Sequence, residues 1–438
     1  MRTDSATHTV SNSGLYSRAL QWVVRQSLRL FMWLYHWGLF VLTVIGLRRR
    51  SPSADGYRIL LTGSFYADNW ALAHLRPLAS APQCARLYVV STWPVPAMEK
   101  VDIIYPPHWL SRTIGSVAAR LLVFIWVGVR TRPHVVGGFH LLLNGLLALA
   151  LGRLIGARAI YFSVGGPAEI LGGGVTSENR LFGRLRIPDR VLERQLLNVV
   201  GNFDTVITMG ERAISVFRAH GIETDFHVVS GGIDTSRFYV SSSPPSADLI
   251  LVARLVPIKR IELFLEVIRK VREVLPDVRA LIVGDGPLRQ TLEQRAVALG
   301  IDVNVAFVGY HRDVEMWLRQ AKLFVLTSES EGLALSLMEA MLCGLPAVVP
   351  NVGDLGELVY DGTNGYLVTE HTPEAFAERI VSLLTDNDHY RRFAMAAQTS
   401  AARYDVGTVV RVWNKILSEG MPAPVAVPTS YTRGRERA

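Results

Sequence analysis

Two glutamates, Glu331 and Glu339, lie eight positions apart around a turn and the start of a short helix-forming run. The run stops at Gly344, a typical helix-ending residue, and Pro346 prevents its continuation. Apolar stretches of strand length lie before and after it, so the order is strand, acidic turn, helix, strand. This order predicts an α/β fold with a parallel sheet. The turn falls at the carboxyl end of a strand, where open α/β sheets bind ligands.

The acidic turn predicts a site for an anion and for hydroxyl groups. The backbone amides that would face a diphosphate, together with the positive end of the helix, are those of Gly332, Leu333, Ala334 and Leu335. Glu339, about one turn into the helix, can accept hydrogen bonds from vicinal hydroxyls, and Glu331 lies at the entrance. Helix capping is the alternative, because an acidic residue near any helix start contributes about 0.3–1 kcal/mol. The layout favours a sugar joined to a nucleotide diphosphate.

A cationic turn precedes the acidic one. The strand-like residues 248–255 lead through a short turn into the amphipathic helix Ile261–Val274. Arg254 and Lys259 flank that turn, where two fixed cations would neutralise phosphate oxygens. Ordinary surface positions are the alternative. Two further strands end in glycine turns, which contain Gly284, Gly286, Val308 and Gly309. The first of these turns either contacts the ligand or only supplies positive φ angles.

In this order and spacing the motifs are specific, and the stretch from about residue 205 to 368 resembles glycosyltransferase family 4. The matching pieces are residues 231–238, 252–254 with Lys259, 284–287, 307–309, the glutamate pair and 353–365. The resemblance implies the GT-B fold, in which two Rossmann-like domains face each other across a cleft. It also implies transfer of a sugar from a nucleotide-diphosphate donor with retention of configuration. The implied catalytic residues are Arg254, Lys259 and Glu331, with Glu339 at the ribose and residues 307–310 at the base.

The amino-terminal half carries weaker signals. Its first strand-like stretch runs into Gly63, which by the resemblance lines the cleft between the domains. Many family members place a histidine at the end of a later strand, where this sequence has Gly165 and Gly166. Glu169, just beyond, is the expected polar replacement, and His140, which follows another strand, is a second candidate for contact with the acceptor or the transferred sugar. An exposed loop glutamate and a structural histidine are the alternatives.

The signals together predict five parts in the chain. A polar amino terminus with a hydrophobic membrane-associated helix occupies residues 1–56, an acceptor domain 57–240, a nucleotide-sugar donor domain 246–405, a crossover helix 406–419 and a disordered tail 420–438. The domain boundary rests on residues 240–246, which are rich in Ser and Pro. Within the first domain, an apolar helix is predicted at residues 141–154 and the last strand at 204–209.

Residues 30–47 contain no formally charged side chain, and arginines precede and follow them. A spanning helix needs roughly 17–25 apolar residues, so this segment is at the short limit. Its aromatic residues Trp33, Tyr35 and Trp37, with the flanking arginines, also suit a helix that lies in the membrane interface. A helix packed on the enzyme itself is the third alternative. Together with a formal net charge of +8, the segment predicts association with an anionic membrane surface at the cytoplasmic face.

The remaining partners and cofactors follow from composition and spacing. The chain has no recognised nucleic-acid-binding motif, so no nucleic acid partner is expected. It has no histidine or cysteine cluster with metal-site spacing. We therefore expect no cofactor and no divalent metal, with Arg254 and Lys259 taking the place of a cation. The expected partners are a nucleotide sugar, which is a co-substrate, and a lipid-linked or glycan acceptor.

The leading hypothesis is a membrane-associated, retaining, metal-independent hexosyltransferase that uses a UDP- or GDP-sugar in cell-envelope or exopolysaccharide assembly. A nucleotide-sugar epimerase of similar two-domain fold is one alternative, and it would release free sugar or UDP without an acceptor. A non-catalytic partner subunit that keeps the fold as a scaffold is the other. The missing histidine favours this last alternative, whereas the retained charged residues of the donor site argue against it.

Overall fold

The computed structural model describes residues 10–45, 47, 51–52, 54–65, 67–175, 182, 185 and 187–419, with the backbone alone for residues 10–20. The tail predicted at 420–438 lies outside the described residues. The chain forms two separate parallel sheets, one of seven strands and one of six. We call the seven-stranded sheet with its helices the first domain and the six-stranded sheet with its helices the second domain.

The first sheet is built from near-continuous apolar strands. These are β1 (Tyr57–Thr62), β2 (Cys84–Val90), β3 (Val101–Ile104), β4 (Val135–Phe139), β5 (Arg158–Ser163), β6 (Thr205–Thr208) and β7 (Phe226–Val228). Neighbouring strands pair in parallel in the order β3-β2-β1-β4-β5-β6-β7. Ile59, Leu60 and Leu61 of the central strand are wholly buried, as a sheet covered by helices on both faces requires.

The described helices of the first domain form two layers on this sheet. They are α1 (Val10–Ile45), α2 (Asp68–Ser80), α3 (His108–Ile114), α4 (Ser116–Thr131), α5 (Leu146–Ile155), α6 (Arg190–Val200) and α7 (Glu211–Ala219). Helices α4, α5 and α6 pack on one face of the sheet, and α2 packs on the other. The predicted hydrophobic amino-terminal helix is confirmed as α1, which lies on α5 and α6. Its segment Gln21–Ile45 is long and apolar enough to cross a membrane by length and composition.

The second sheet follows the same rules. Its strands are β8 (Ala247–Val252), β9 (Ala280–Val283), β10 (Val305–Gly309), β11 (Ala321–Val325), β12 (Ala347–Pro350) and β13 (Gly365–Val368), in the order β10-β9-β8-β11-β12-β13. Its described helices are α8 (Ile261–Val274), α9 (Arg289–Ala298), α10 (Val314–Leu318), α11 (Leu335–Leu342), α12 (Pro373–Thr385) and α13 (Asn387–Ala401). The bounds of α8 are those predicted, because seven of its residues form one continuous buried stripe at helical spacing.

The last described helix returns to the first domain. This helix, α14 (Val406–Ser418), packs against α2. Trp413 on α14 is 1% exposed and belongs to the same apolar cluster as β1 and β2. The chain is held at the crossing point by the Val406 amide, which donates to the Ile233 carbonyl at 2.9 Å. The two domains are therefore joined both at the segment between the sheets and by α14.

Two predictions about local structure are wrong. Residues 204–209 do not form the last strand of the first domain, because β7 pairs with β6 beyond it. This edge strand has three residues, all partly exposed, and therefore lacks the apolar run of a buried strand. The helix predicted at 141–154 begins only at Leu146, since residues 141–145 form an irregular turn with positive φ at Leu143. An unbroken apolar run does not reveal such a turn.

Candidate active site

Each sheet reverses its strand order at one point, and the predicted site residues follow the strands at those points. In the second sheet β8 and β11 are neighbours, and their carboxyl ends lead to Lys259 and Glu331. In the first sheet β1 and β4 are neighbours, and they lead to Gly63 and His140. A crevice forms at such a point because the two connections leave in opposite directions.

Lys259 and Glu331 form a partly buried ion pair. Lys259 Nζ donates to Glu331 Oε1 at 2.6 Å, and the side chains are 18% and 9% exposed. Ser328 Oγ donates to the same oxygen at 2.6 Å. The two turns are tied together by the Glu329 amide, which donates to the Ile258 carbonyl at 2.9 Å. An ammonium group has three N–H donors, so Lys259 can keep Glu331 and still donate to a phosphate oxygen.

The acidic turn meets the first domain at Gly332. A methyl group at this glycine would lie 2.6 Å from the carbonyl oxygen of Val164, which follows β5. Gly353, at φ +53°, passes so close to the Glu331 carbonyl that a methyl group there would lie 1.8 Å from it. Helix α11 begins just beyond, with Ala334 at its N-cap and no side-chain cap. Its first amides are thus available for an anion in the cleft.

Glu339 lies on α11 and is only 1% exposed. Its Oε1 accepts a hydrogen bond from Asn69 Nδ2 of the first domain at 2.9 Å, and its Oε2 has no partner. Burial raises the pKa of this carboxyl to about 8, although the Asn69 hydrogen bond acts in the opposite direction. The carboxyl borders a small interdomain pocket that is also lined by Asn69, Arg76, Gly232, Asp234 and Arg237. The hydroxyl groups of a ligand are suitable hydrogen-bond partners for Glu339 Oε2.

The glycine turns after β9 and β10 pack together, and the first of them packs against the turn that follows β8. A methyl group at Gly284, where φ is +142°, would lie 1.9 Å from the Ala253 carbonyl oxygen, and one at Gly286 would lie 2.5 Å from that of Leu255. The Gly284 amide donates to the Gly309 carbonyl at 2.8 Å. Both glycines are therefore required for backbone approach to the half-buried turn that carries Arg254. Beside Gly309, the Val308 carbonyl accepts a hydrogen bond from His311 Nε2 at 3.0 Å.

In the first domain, His140 and Glu169 are neighbours. Glu169 Oε2 lies 3.3 Å from His140 Nδ1 and accepts a longer hydrogen bond from the Leu141 amide. Tyr161 donates its hydroxyl to the other carboxylate oxygen. Burial raises the pKa of Tyr161 well above its usual range, and the Glu169 carboxylate adds to the rise, so the tyrosine stays protonated as a donor. His140 itself has φ +64°, an uncommon conformation for a non-glycine residue.

Gly63 ends β1 and is wholly enclosed. A methyl group there would lie 2.9 Å from Phe139 Cβ, and its carbonyl accepts a hydrogen bond from Arg120 of α4. Arg120 also donates to Asn144 Oδ1 at 2.8 Å, and burial lowers its pKa to about 10. Arg120 thus joins the turn after β1 to the turn after β4. We assign Gly63 to the packing of the cleft wall on this geometry.

Three contacts between the domains bring the two groups of residues together. Gly332 touches the residue after β5, Glu339 bonds to Asn69, and Arg212 donates to the Gly353 carbonyl at 3.1 Å. The His140–Glu169 pair lies beside Gly165, one residue beyond the Gly332 contact. Both halves of the candidate site therefore face one cleft. Within the described part of the chain, no group of three or more His, Cys, Asp or Glu side chains is arranged to hold a metal ion.

Three contributors were not predicted: Asn69, Arg120 and Ser328. Asn69 has a positional signal, because it starts the helix after β1 at the carboxyl edge of the sheet. Arg120 is the one charged residue between Ser116 and Val129, and a lone charge in an apolar helix indicates an internal partner. Ser328 precedes the acidic turn by three residues and has no such signal.

The sequence of the second domain matches a known family. Residues 233–400 match the model of the family described as glycosyl transferases group 1. Over 153 residues the chain is 33% identical to N-acetyl-alpha-D-glucosaminyl L-malate synthase of Bacillus anthracis, covering 35% of this chain and 40% of that protein. Over 114 residues it is 37% identical to the Vi polysaccharide biosynthesis protein VipC/TviE of Salmonella typhi, covering 25% of this chain and 20% of that protein. These matches thus span less than half the length of either relative.

The whole fold has structural counterparts. The crystal structure of Anabaena Alr3699/HepE in complex with UDP-glucose superposes with a TM-score of 0.64 at 20% identity, covering 83% of this chain and 100% of that one. At that identity the likeness concerns the fold alone. The predicted fold class is confirmed: the chain has the GT-B fold, and its residues 233–400 carry the sequence features of the glycosyl transferases group 1.

Proposed function

We propose that the protein is a retaining glycosyltransferase that moves a sugar from a nucleotide-diphosphate donor to a lipid-linked or glycan acceptor. The observation that carries this proposal is the joint position of the Lys259–Glu331 pair and Glu339 around the uncapped start of α11. A cation, helix amides and an unsatisfied carboxyl oxygen within one cleft match the phosphates and hydroxyls of such a donor. The group 1 match of residues 233–400 supports the same class.

In this proposal catalysis is mainly electrostatic. The departing diphosphate gains negative charge as the glycosidic bond breaks, and Lys259, Arg254 and the first amides of α11 stabilise that charge. In this proposal Lys259 and Arg254 take the place of a metal cation, and transfer requires no divalent ion. Glu331, held by Lys259 and Ser328, orients the sugar. Glu339 accepts from the ribose, and residues 307–310 border the base.

The acceptor side of the cleft is assigned to the His140–Glu169 pair. Because Glu169 contacts Nδ1 of the imidazole, the ring is oriented with its other nitrogen away from the carboxylate. His140 is 38% exposed and can reach a ligand, whereas Glu169 is 9% exposed and acts through the ring. The Salmonella typhi relative is named as a polysaccharide biosynthesis protein, which supports an acceptor in cell-envelope or exopolysaccharide assembly.

The experiment that tests this function is a donor screen followed by product analysis. Purified full-length protein is heated with UDP-, GDP- and other nucleotide sugars, and the true donor should raise the melting temperature, since a ligand at 100 times its Kd stabilises by about 2.7 kcal/mol. Glycan and lipid-linked acceptors are then added with the selected donor, and the anomeric configuration of the product is determined by NMR. Inversion of configuration would refute retention.

Product analysis also separates the other two functions. An epimerase releases UDP or an altered sugar at the same rate with and without an acceptor. A non-catalytic subunit shows no turnover with any donor that it binds. Donor binding is also measured with the variant Lys259→Ala, which removes one side chain at the cleft and leaves the strands of both sheets unchanged. Donor stabilisation that persists undiminished in this variant would contradict the proposed phosphate site.

A further inference from the structure

The two arginines among the described side chains of α1, Arg25 and Arg29, face the protein. Arg29 donates to Asp189 through Nε at 3.1 Å and Nη2 at 3.0 Å, and Arg25 Nε lies 3.2 Å from the same carboxylate. The Asp189 side chain is wholly buried and caps α6 by accepting from the Val191 and Leu192 amides. Burial alone would raise the pKa of Asp189, but the Arg29 hydrogen bonds and the amides lower it. This arrangement fixes α1 to the first domain.

Apolar contacts extend the attachment along the helix. Leu28, Met32 and Leu39 are buried in the cluster that includes α5 and α6. Tyr35 donates its hydroxyl to the Leu146 carbonyl at 2.7 Å. The contacts from Arg25 to Leu39 cover about 20 Å of helix axis at 1.5 Å per residue. A helix held over that length cannot cross a bilayer unless α5 and α6 enter the hydrocarbon with it.

The opposite face of α1 is exposed and apolar. Its outward residues, between 44% and 65% exposed, are Trp22, Val23, Leu30, Phe31, Trp33, Leu34, Trp37 and Phe40. A helix on the surface of a water-soluble domain carries polar side chains there. With Arg25 and Arg29 turned inward and large aromatic residues turned outward, the described part of α1 has the reverse pattern. An exposed apolar face of this kind marks a membrane or protein contact.

Exposed apolar residues also occur on α4, which lies in the same helix layer as α5 and α6. Leu122, Trp126 and Val129 of α4 are exposed, and α4 contacts α5, on which α1 also lies. Arg130 lies over the Trp126 ring at 5.8 Å from its centroid. An arginine beside an exposed tryptophan is an arrangement typical of the headgroup region of a bilayer.

Charge distinguishes a lipid surface from a second protein. Residues 5–54 and 103–168, which include α1, α3, α4 and α5, contain no Asp or Glu, and the second stretch contains six arginines. Arg112, Arg130 and Arg132 are exposed. A second copy of the chain would bring the same basic surface against itself. Anionic lipid headgroups are instead attracted to basic residues near the membrane surface.

We propose that α1 lies in the plane of an anionic lipid bilayer, with its inner side docked on α5 and α6 and its tryptophans in the headgroup–acyl boundary. The docked helix is then a fixed part of the enzyme and not a flexible tether. The face that binds lipid belongs to the first domain, so it would hold a lipid-linked acceptor on the domain that carries the His140–Glu169 pair. This last consequence rests on the proposed function, whereas the lipid contact itself does not.

Vesicle flotation of the full-length protein tests the proposal. We expect binding to phosphatidylcholine vesicles that contain about 30 per cent phosphatidylglycerol, and weaker binding to phosphatidylcholine alone, as surface charge attraction predicts. The double variant Trp33→Ser/Trp37→Ser should lower the partition coefficient at least ~10-fold, because both rings leave the interface. The matched control is Met395→Ser, at an exposed apolar position on α13 of the second domain. It should bind like the unchanged protein.

The depth of the tryptophans in the bilayer and the oligomeric state of the protein distinguish an in-plane helix from a spanning helix and from a dimer contact. Brominated lipids should quench tryptophan fluorescence most strongly when the bromines lie near the headgroups, and alkaline carbonate should release part of the protein. Quenching centred at the bilayer midplane would overturn the in-plane orientation. So would a dimer in light scattering that the double variant abolishes, or equal vesicle binding by the double variant and the control. Melting temperatures of all variants show that each is folded, so loss of binding is not loss of structure.

Discussion

Glu339 offers the sharpest quantitative test of the cleft. The pKa of this carboxyl rises from 4.5 to about 8 on folding because it is buried. Between those two values the native state holds one proton more than the unfolded state, so stability falls as the pH rises. Between about pH 5 and about pH 8 the loss integrates to about 3–4 kcal/mol. The variant Glu339→Gln cannot ionise and should not show this loss.

The assay compares melting temperatures of the native protein, Glu339→Gln and a control over that pH range. At about 2–4 °C per kcal/mol for a domain of this size, the difference between native protein and variant should grow by on the order of 10 °C. Glu378→Gln, on the exposed face of α12, is the control and should follow the native protein. A difference that stays constant with pH would refute the buried, protonated carboxyl.

Nucleotide should change the same measurement. Ribose hydroxyls that donate to Glu339 stabilise its ionised form and therefore lower its pKa. With the nucleotide bound, the pH dependence of the native protein should become shallower, while that of Glu339→Gln should not change. If the nucleotide raises the melting temperature but leaves the slope of the native protein unaltered, Glu339 does not contact the ribose.

Three further outcomes follow from the site. Lys259→Ala and Arg254→Ala should each lower kcat by at least ~100-fold, since each removes a cation aligned with developing charge. The kinetics are measured with the selected donor, and the control is Lys415→Ala, at an exposed lysine on α14. Near-normal transfer by either cleft variant would contradict the assignment. Transfer should survive exhaustive dialysis against EDTA, and complete loss that manganese or magnesium restores would overturn the metal-free proposal. Gly332→Ala should lower the rate of transfer on the order of 100-fold, because the added methyl group forces the acidic turn away from Val164. Its melting temperature should stay close to that of the native protein. Unchanged kinetics would show that this contact is dispensable.

Hydrophobic periodicity and turn residues were sufficient to predict many of the helices and strands. Helix α8 has the predicted bounds, and the acidic turn lies between a parallel strand and a helix as its spacing indicates. Periodicity and turn residues act over a few positions, so they are readable without knowledge of the rest of the chain. The edge strands β3 and β7 were missed because partial exposure removes the apolar run that marks a buried strand. Lys259 and Glu331 were expected in one site, and their direct ion pair is visible only in three dimensions.

The sequence alone determined the α/β class and the residue types at the strand ends. It also determined that the apolar region at residues 5–54 contains no Asp or Glu. Only the tertiary structure decided which of these residues meet. Asn69 reaches Glu339 across 270 positions, Gly332 meets Val164, and Glu169 contacts His140. It also decided that Arg25 and Arg29 of α1 turn inward to Asp189. Such contacts depend on how two sheets and a docked helix pack together, and packing joins residues whose distance along the chain carries no information about their distance in space.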